Sequence, residues 1–126
     1  MQEIIFEQTG EYAKLVRFPG GSSNTVSHFN PGIMTRLTND LNDMGYAYFD
    51  WNVSAADTAS DATRYTVIEN FKESVPKHDY SVVLQHDTNA FSVDAVEEIL
   101  SWGIKNGYSF RALDLTSPAV HHSVAN

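Results

Sequence analysis

Short apolar runs of strand length alternate with longer amphipathic stretches along most of this chain, and that alternation does most to narrow the folds open to it. Residues Lys14 to Phe18, Tyr46 to Val53, Ser81 to Gln85 and Tyr108 to Leu113 read as strands. Val82, Val83 and Leu84 in succession suit a parallel strand covered on both faces. Between the strands lie helical patterns. Pro31 opens one with Ile33, Met34, Leu37, Leu41 and Met44 on its apolar face and Gly45 at its end. Thr63 to Val75 reads as another, with Val67, Ile68 and Phe71 inward, cut off by Pro76. Ser92 is the expected N-cap of a third that runs to Asn106, with Val93, Val96, Ile99, Leu100 and Ile104 inward and Gly107 closing it. Before the first strand, Ile4 to Thr9 reads as the end of a helix stopped at Gly10.

Met44-Gly45-Tyr46 and Asn106-Gly107-Tyr108 share a form, a glycine stop followed by a tyrosine that opens the next strand. The echo supports a repeated βα unit. Residues 1–126 then form one α/β domain without a linker, containing about four mostly parallel strands in sequence order. A closed eight-stranded βα barrel typically takes ~250 residues. The expected architecture is therefore a (β/α) half-barrel or a small open sheet. A half-barrel has two unpaired edges and an exposed inner face, so self-association or a further segment covering them is expected.

Sixteen acidic against eight basic side chains give a formal charge of −8, with no cluster of Lys or Arg. Nucleic acid and anionic membranes both need a cationic footprint, so neither is an expected partner. A neutral or cationic ligand such as an acetylated or partly deacetylated glycan suits this balance. The chain has no cysteine, which excludes disulfides and thiolate metal sites. Met1 to Glu7 has neither a basic start nor a long apolar run, so neither a signal peptide nor a membrane span is expected in this chain.

On this frame Arg17, Asp50, Asp57, His86 and Asp87 fall at or just beyond the C-terminal ends of strands and are expected to face one end of the sheet. An imidazole with carboxylates and a guanidinium suits general acid–base chemistry, a carboxylate fixing the His tautomer. Taken singly, each residue has a plainer reading. His86 could be a hydrogen-bonded strand-end histidine, Arg17 one half of an ion pair, Pro19-Gly20-Gly21 a turn, and Trp51 a core residue. Asp50 rivals Asp57 but, next to Trp51 on a strand, could point to solvent. His121 and His122 are adjacent and cannot both face one site on regular structure, so they are expected to be solvent-exposed or adventitious metal ligands.

Arg17-Phe18-Pro19-Gly20-Gly21 after one strand, Trp51-Asn52-Val53-Ser54-Ala55-Ala56-Asp57 after the next and Leu84-Gln85-His86-Asp87 after the third resemble, in this order, the polysaccharide deacetylases of the NodB homology type. These include peptidoglycan N-acetylglucosamine and chitin deacetylases, and the likeness is closest to the bacterial cell-wall branch. It runs from about Ile4 to Leu113. The family resembles a distorted (β/α) barrel, and the resemblance makes this chain the C-terminal half of one. It also assigns roles. Arg17 orients the catalytic base, Pro19 and Gly20 line the groove, and the Gly20 N–H helps bind the oxyanion. Trp51 lines the other wall, and Asp57 holds the catalytic histidine. Leu84 shapes the acetyl pocket, and His86 protonates the leaving amine.

The sequence departs from the family's pattern in two places. Thr58 follows Asp57 where the family usually has a second tryptophan. The motifs that supply the base and an Asp-His-His metal site, Thr-Phe-Asp-Asp-Gly and His-x-x-x-His, are absent. The resemblance thus implies a zinc-like divalent metal in the complete domain and none in this chain alone. The expected function is hydrolysis of N-acetyl groups on cell-wall glycan by a parent protein that acts outside the cell or at the wall, with this piece inactive by itself. The alternative is a non-catalytic glycan-binding or assembly module.

Overall fold

Glycines and small polar caps set the ends of the helices, and short runs of β-branched or aromatic residues set the strands. The computed structural model describes Met1–Asn126. It consists of two compact units, Met1–Asp50 with Leu113–Asn126, and Trp51–Ala112.

In the first unit, helix α1 (Gln2–Thr9) stops at Gly10, whose left-handed backbone (φ 77°) lets its N–H reach the Phe6 carbonyl at 2.8 Å. The helix buries none of its residues. It is held by Gln2, whose side-chain amide donates to the Ala13 carbonyl and the Tyr46 hydroxyl, and by Phe6 stacked on Tyr12. Strands β1 (Leu15–Val16) and β2 (Ala47–Tyr48) pair in parallel, Leu15 with Ala47 and Val16 with Tyr48. The pairing is shorter than the apolar runs predict. Pro19 and two left-handed glycines turn the chain after β1, and just past β2 the Asp50 N–H bonds the Val120 carbonyl of the C-terminal segment.

Helix α2 (Ile33–Asp43) packs against β2. It begins two residues after Pro31 because Gly32, at φ 77°, lies outside helical geometry. Met34 and Thr38 are its buried pair, one turn apart, while Met44 at the end of the expected apolar face is exposed.

In the second unit, β3 (Val53–Ser54) and β4 (Val83–Leu84) form another parallel pair, Val53 with Val83 and Ser54 with Leu84. The single strand expected over Tyr46 to Val53 is thus two strands, β2 and β3, belonging to different pairs. Helix α3 (Arg64–Ser74) starts at a reciprocal cap. The Thr63 hydroxyl accepts from the Thr66 N–H, and the Thr66 hydroxyl accepts from the Thr63 N–H. Val67, Ile68 and Phe71 face inward as the spacing predicts, and Pro76 sits in the 3-10 turn Val75–Lys77 that follows.

Helix α4 (Ala90–Lys105) packs on α3 and corrects two expectations. Asn89, not Ser92, precedes its first residue, and Ser92 lies fully buried in its first turn. The buried face is Ser92, Ala95, Ile99 and Gly103, whereas Val93, Val96, Leu100 and Ile104 are exposed. Small residues face inward because neighbours approach closely: a Cβ built on Gly103 would come within 2.5 Å of the Phe110 ring. No strand forms over Tyr108 to Leu113. Tyr108 stacks on Trp102, and Phe110 on Phe71, so these aromatics close the core instead of pairing a backbone. That core is Val53, Ala55, Val67, Ile68, Phe71, Val75, Ala95 and Ile99.

Candidate active site

The loop after β3 turns sharply at Ala56, the only non-glycine residue with positive φ (52°). A left-handed alanine costs on the order of 1 kcal/mol and persists where surrounding contacts enforce it. Here the Ala55 N–H bonds the Leu84 carbonyl on one side of the turn, and the Asp57 side chain is fixed on the other. Asp57 is 3% exposed. Its Oδ2 accepts from the His86 N–H at 2.6 Å and from the Ser92 hydroxyl at 2.6 Å, and its Oδ1 lies 2.9 Å from His86 Nδ1. Asn89 holds the Asp57 carbonyl at 2.9 Å.

Burial pushes the Asp57 carboxyl up, but the hydrogen bonds from Ser92 and His86 outweigh it and hold the group below its ordinary value. An ionised Asp57 accepts, so His86 Nδ1 carries the proton that it donates. That leaves Nε2 as the ring nitrogen free to exchange protons, on a side chain 40% exposed. Asp57 and His86, predicted as a pair, are thus in direct contact. Trp51 and Leu84 belong to the same unit and are half-buried.

Arg17, Pro19 and Gly20 belong to the other unit. Arg17 Nε donates to the Phe49 carbonyl at 3.2 Å and Nη2 to the Asp50 carbonyl at 3.4 Å. Gly20 and Gly21, at φ 72° and 76°, form a turn that a side chain would strain. Asn24 ties the turn back through the Pro19 and Gly21 carbonyls.

Asp50 does not point to solvent. It is fully buried and accepts from the Ser22 N–H (2.7 Å), the Ser22 hydroxyl (2.5 Å) and the His122 N–H (2.8 Å). Burial raises its carboxyl, and these bonds more than offset the rise, so it too is held below its ordinary value. Of the histidine pair, His121 is exposed as expected and His122 is half-buried, and both side chains have partners. The His121 ring stacks on Tyr48 at 3.8 Å with Nε2 3.0 Å from the Tyr48 carbonyl, and His122 Nδ1 lies 2.9 Å from the Ser23 hydroxyl. Asp87 is exposed. Nowhere do three His, Cys, Asp or Glu side chains converge as a metal would need.

Ser92 and Ser22 carry no signal in the sequence as partners of these carboxylates: Ser92 fits a helix-cap pattern, and Ser22 is one more polar loop residue after the glycines.

No family model matches the sequence. The peptidoglycan-N-acetylglucosamine deacetylase of Bacillus cereus is 30% identical over 116 residues, which is 88% of this chain and 40% of that protein. The catalytic domain of a peptidoglycan N-acetylglucosamine deacetylase from Eubacterium rectale superposes with a TM-score of 0.95 at 51% identity, over 100% of this chain and 58% of that one. In sequence and in fold, this chain is a relative of the polysaccharide deacetylases. Another solved deacetylase of the family, Bc1974 from Bacillus cereus, superposes at 0.76 with 29% identity, over 94% of this chain and 57% of its own. This deacetylase relative spans about two fifths of the length of the curated proteins it matches.

Proposed function

We propose that this chain supplies the proton-donating part of an active site that removes acetyl groups from N-acetylglucosamine units of cell-wall glycan. The observation that carries the reading is the Asp57–His86 pair, with Nδ1 engaged by a buried carboxylate and Nε2 left to act. When the tetrahedral intermediate collapses, the C–N bond breaks and its electron pair goes to nitrogen. His86 Nε2 gives that nitrogen a proton, so a neutral amine departs rather than an amide anion. Asp57 stabilises the imidazolium before the transfer and holds the ring in the productive tautomer.

Leu84 and Trp51 contact the acetyl group and the sugar in this reading. Arg17, Pro19 and Gly20 keep the roles that the resemblance gives them, Gly20 through its N–H as an oxyanion donor. The side chains here do not form a metal site, so the metal and the base that the resemblance implies are not supplied by these residues.

A chimera tests the proposal. The segment of the Eubacterium rectale catalytic domain that aligns with this chain is replaced by it, and acetate release from N-acetylated chito-oligosaccharide is measured. The chimera should turn over, and His86→Ala should lower kcat by roughly 10²–10⁴-fold, the usual contribution of a general acid. Sugar binding without acetate release would support the binding-module alternative.

A further inference from the structure

Asp50 is a fully buried carboxylate that the proposed proton transfer does not use, and the segment ending the chain lies directly on it. Residues 118–126 contain no helix or strand, so their order comes from individual bonds. The Val120 carbonyl accepts from the Asp50 N–H, and the His122 N–H returns to Asp50 Oδ2. The Ala125 carbonyl accepts from the Ser27 hydroxyl at 2.7 Å, and the Asn126 side chain accepts from Thr35. His121 covers Tyr48, the last residue of β2. The same Asp50 carboxylate takes both donors of Ser22, the residue directly after the left-handed Gly20-Gly21 turn.

We propose that Asp50 is a positioning residue and that Val120–Asn126 is a strap, and that together they fix the Gly20-Gly21-Ser22 turn in its working geometry. The inference rests on the deacetylase reading for what the turn does, but not for what holds it. A two-glycine turn has little conformational preference of its own, so an oxyanion donor placed on it must be held from outside. Three donors converge on the buried carboxylate from two segments far apart in sequence, the turn and the strap. An asparagine at position 50 would turn an NH₂ group toward donors that need an acceptor.

Two readouts separate the inference from the reading on which it rests. The first is amide hydrogen exchange on the whole 126-residue chain. Ser22→Ala, Asp50→Asn and deletion of residues 120–126 should each speed exchange at Ser22 by tenfold or more, while Val67 and Phe71 in α3 keep wild-type protection. Unchanged protection at Ser22 in the deletion would overturn the strap. The second is kinetics in the chimera described above. There Ser22→Ala, which keeps the Ser22 N–H, should lower kcat by about 10-fold with KM little changed, since a small misplacement of a catalytic group costs up to roughly 10²-fold. A change in KM alone would mean that the turn binds glycan without serving the reaction, and would overturn the positioning role. If the unmodified chimera is inactive, the deacetylase reading fails, and the exchange data still decide the strap. If Asp50→Asn prevents folding, Ser22→Ala and the deletion carry the test.

Discussion

Asp57 and Asp50 are both buried carboxylates held ionised by three donors, and both make stability depend on pH in the same direction. Each has its folded-state pKa below the ordinary value of 3.8, so the unfolded chain binds more protons in the interval between the two values. Their stabilisation is complete above the ordinary carboxyl range and is lost as pH falls through the folded value. Thermal unfolding should therefore be level above about pH 5, where unperturbed carboxyls are ionised, and decline on acidification. The decline should be shallower in Asp57→Asn, and scanning calorimetry from pH 3 to 7 reads it. At neutral pH, Asp57→Ala leaves the His86 and Ser92 donors unpaired in a buried site and should cost roughly 3 kcal/mol. The pairing of Asp57 with His86 was legible because both follow strand-like runs in a recognisable order. The burial of Asp50 was not, since its partners are Ser22 and a backbone N–H one hundred residues from Ser22 in the chain, and no local pattern encodes that meeting.

At the scale of elements, α3 and α4 show where periodicity suffices and where it fails. In α3 the apolar residues lie on one side of a polar helix, so Val67, Ile68 and Phe71 could be placed inward from spacing alone. Helix α4 is apolar on two sides, and its larger side chains are on the outer one. What selects the inner face is steric fit, with Ala95 and Gly103 admitting α3 and Phe110. Ile99 is 4% exposed and Leu100 is 38% exposed. Ile99→Ala should accordingly cost about 2–5 kcal/mol in urea unfolding, and Leu100→Ala less than about 1.5 kcal/mol. Equal losses would restore the face predicted from hydrophobicity. Three of the four strand-like runs yield short strands and Tyr108 to Leu113 yields none, because apolar runs mark burial more than backbone pairing. Past β2, the N–H of buried Phe49 still bonds the Val16 carbonyl, but the next N–H, that of Asp50, goes to Val120 instead of β1.

At the scale of the whole molecule, the proposed function makes this chain one contributor to a reaction. In the proposed reaction its side chains bring an acid and its orienter, and no three of its His, Asp or Glu side chains converge as metal ligands. By itself the 126-residue chain should release no acetate from chito-oligosaccharide and take up no zinc stoichiometrically in isothermal titration. Micromolar binding abolished by His86→Ala would show that His86 is a ligand and not an acid. The most direct test of the acid role varies the leaving group. An acetamide needs its nitrogen protonated to depart, whereas the phenolate of 4-nitrophenyl acetate leaves unaided. In the chimera with the Eubacterium rectale domain, His86→Ala should lower turnover of N-acetylated chito-oligosaccharide by roughly 10²–10⁴-fold and leave hydrolysis of 4-nitrophenyl acetate within a few fold of the unsubstituted chimera. Equal losses on both substrates, or no loss on the amide, would contradict the assignment of His86 as the proton donor.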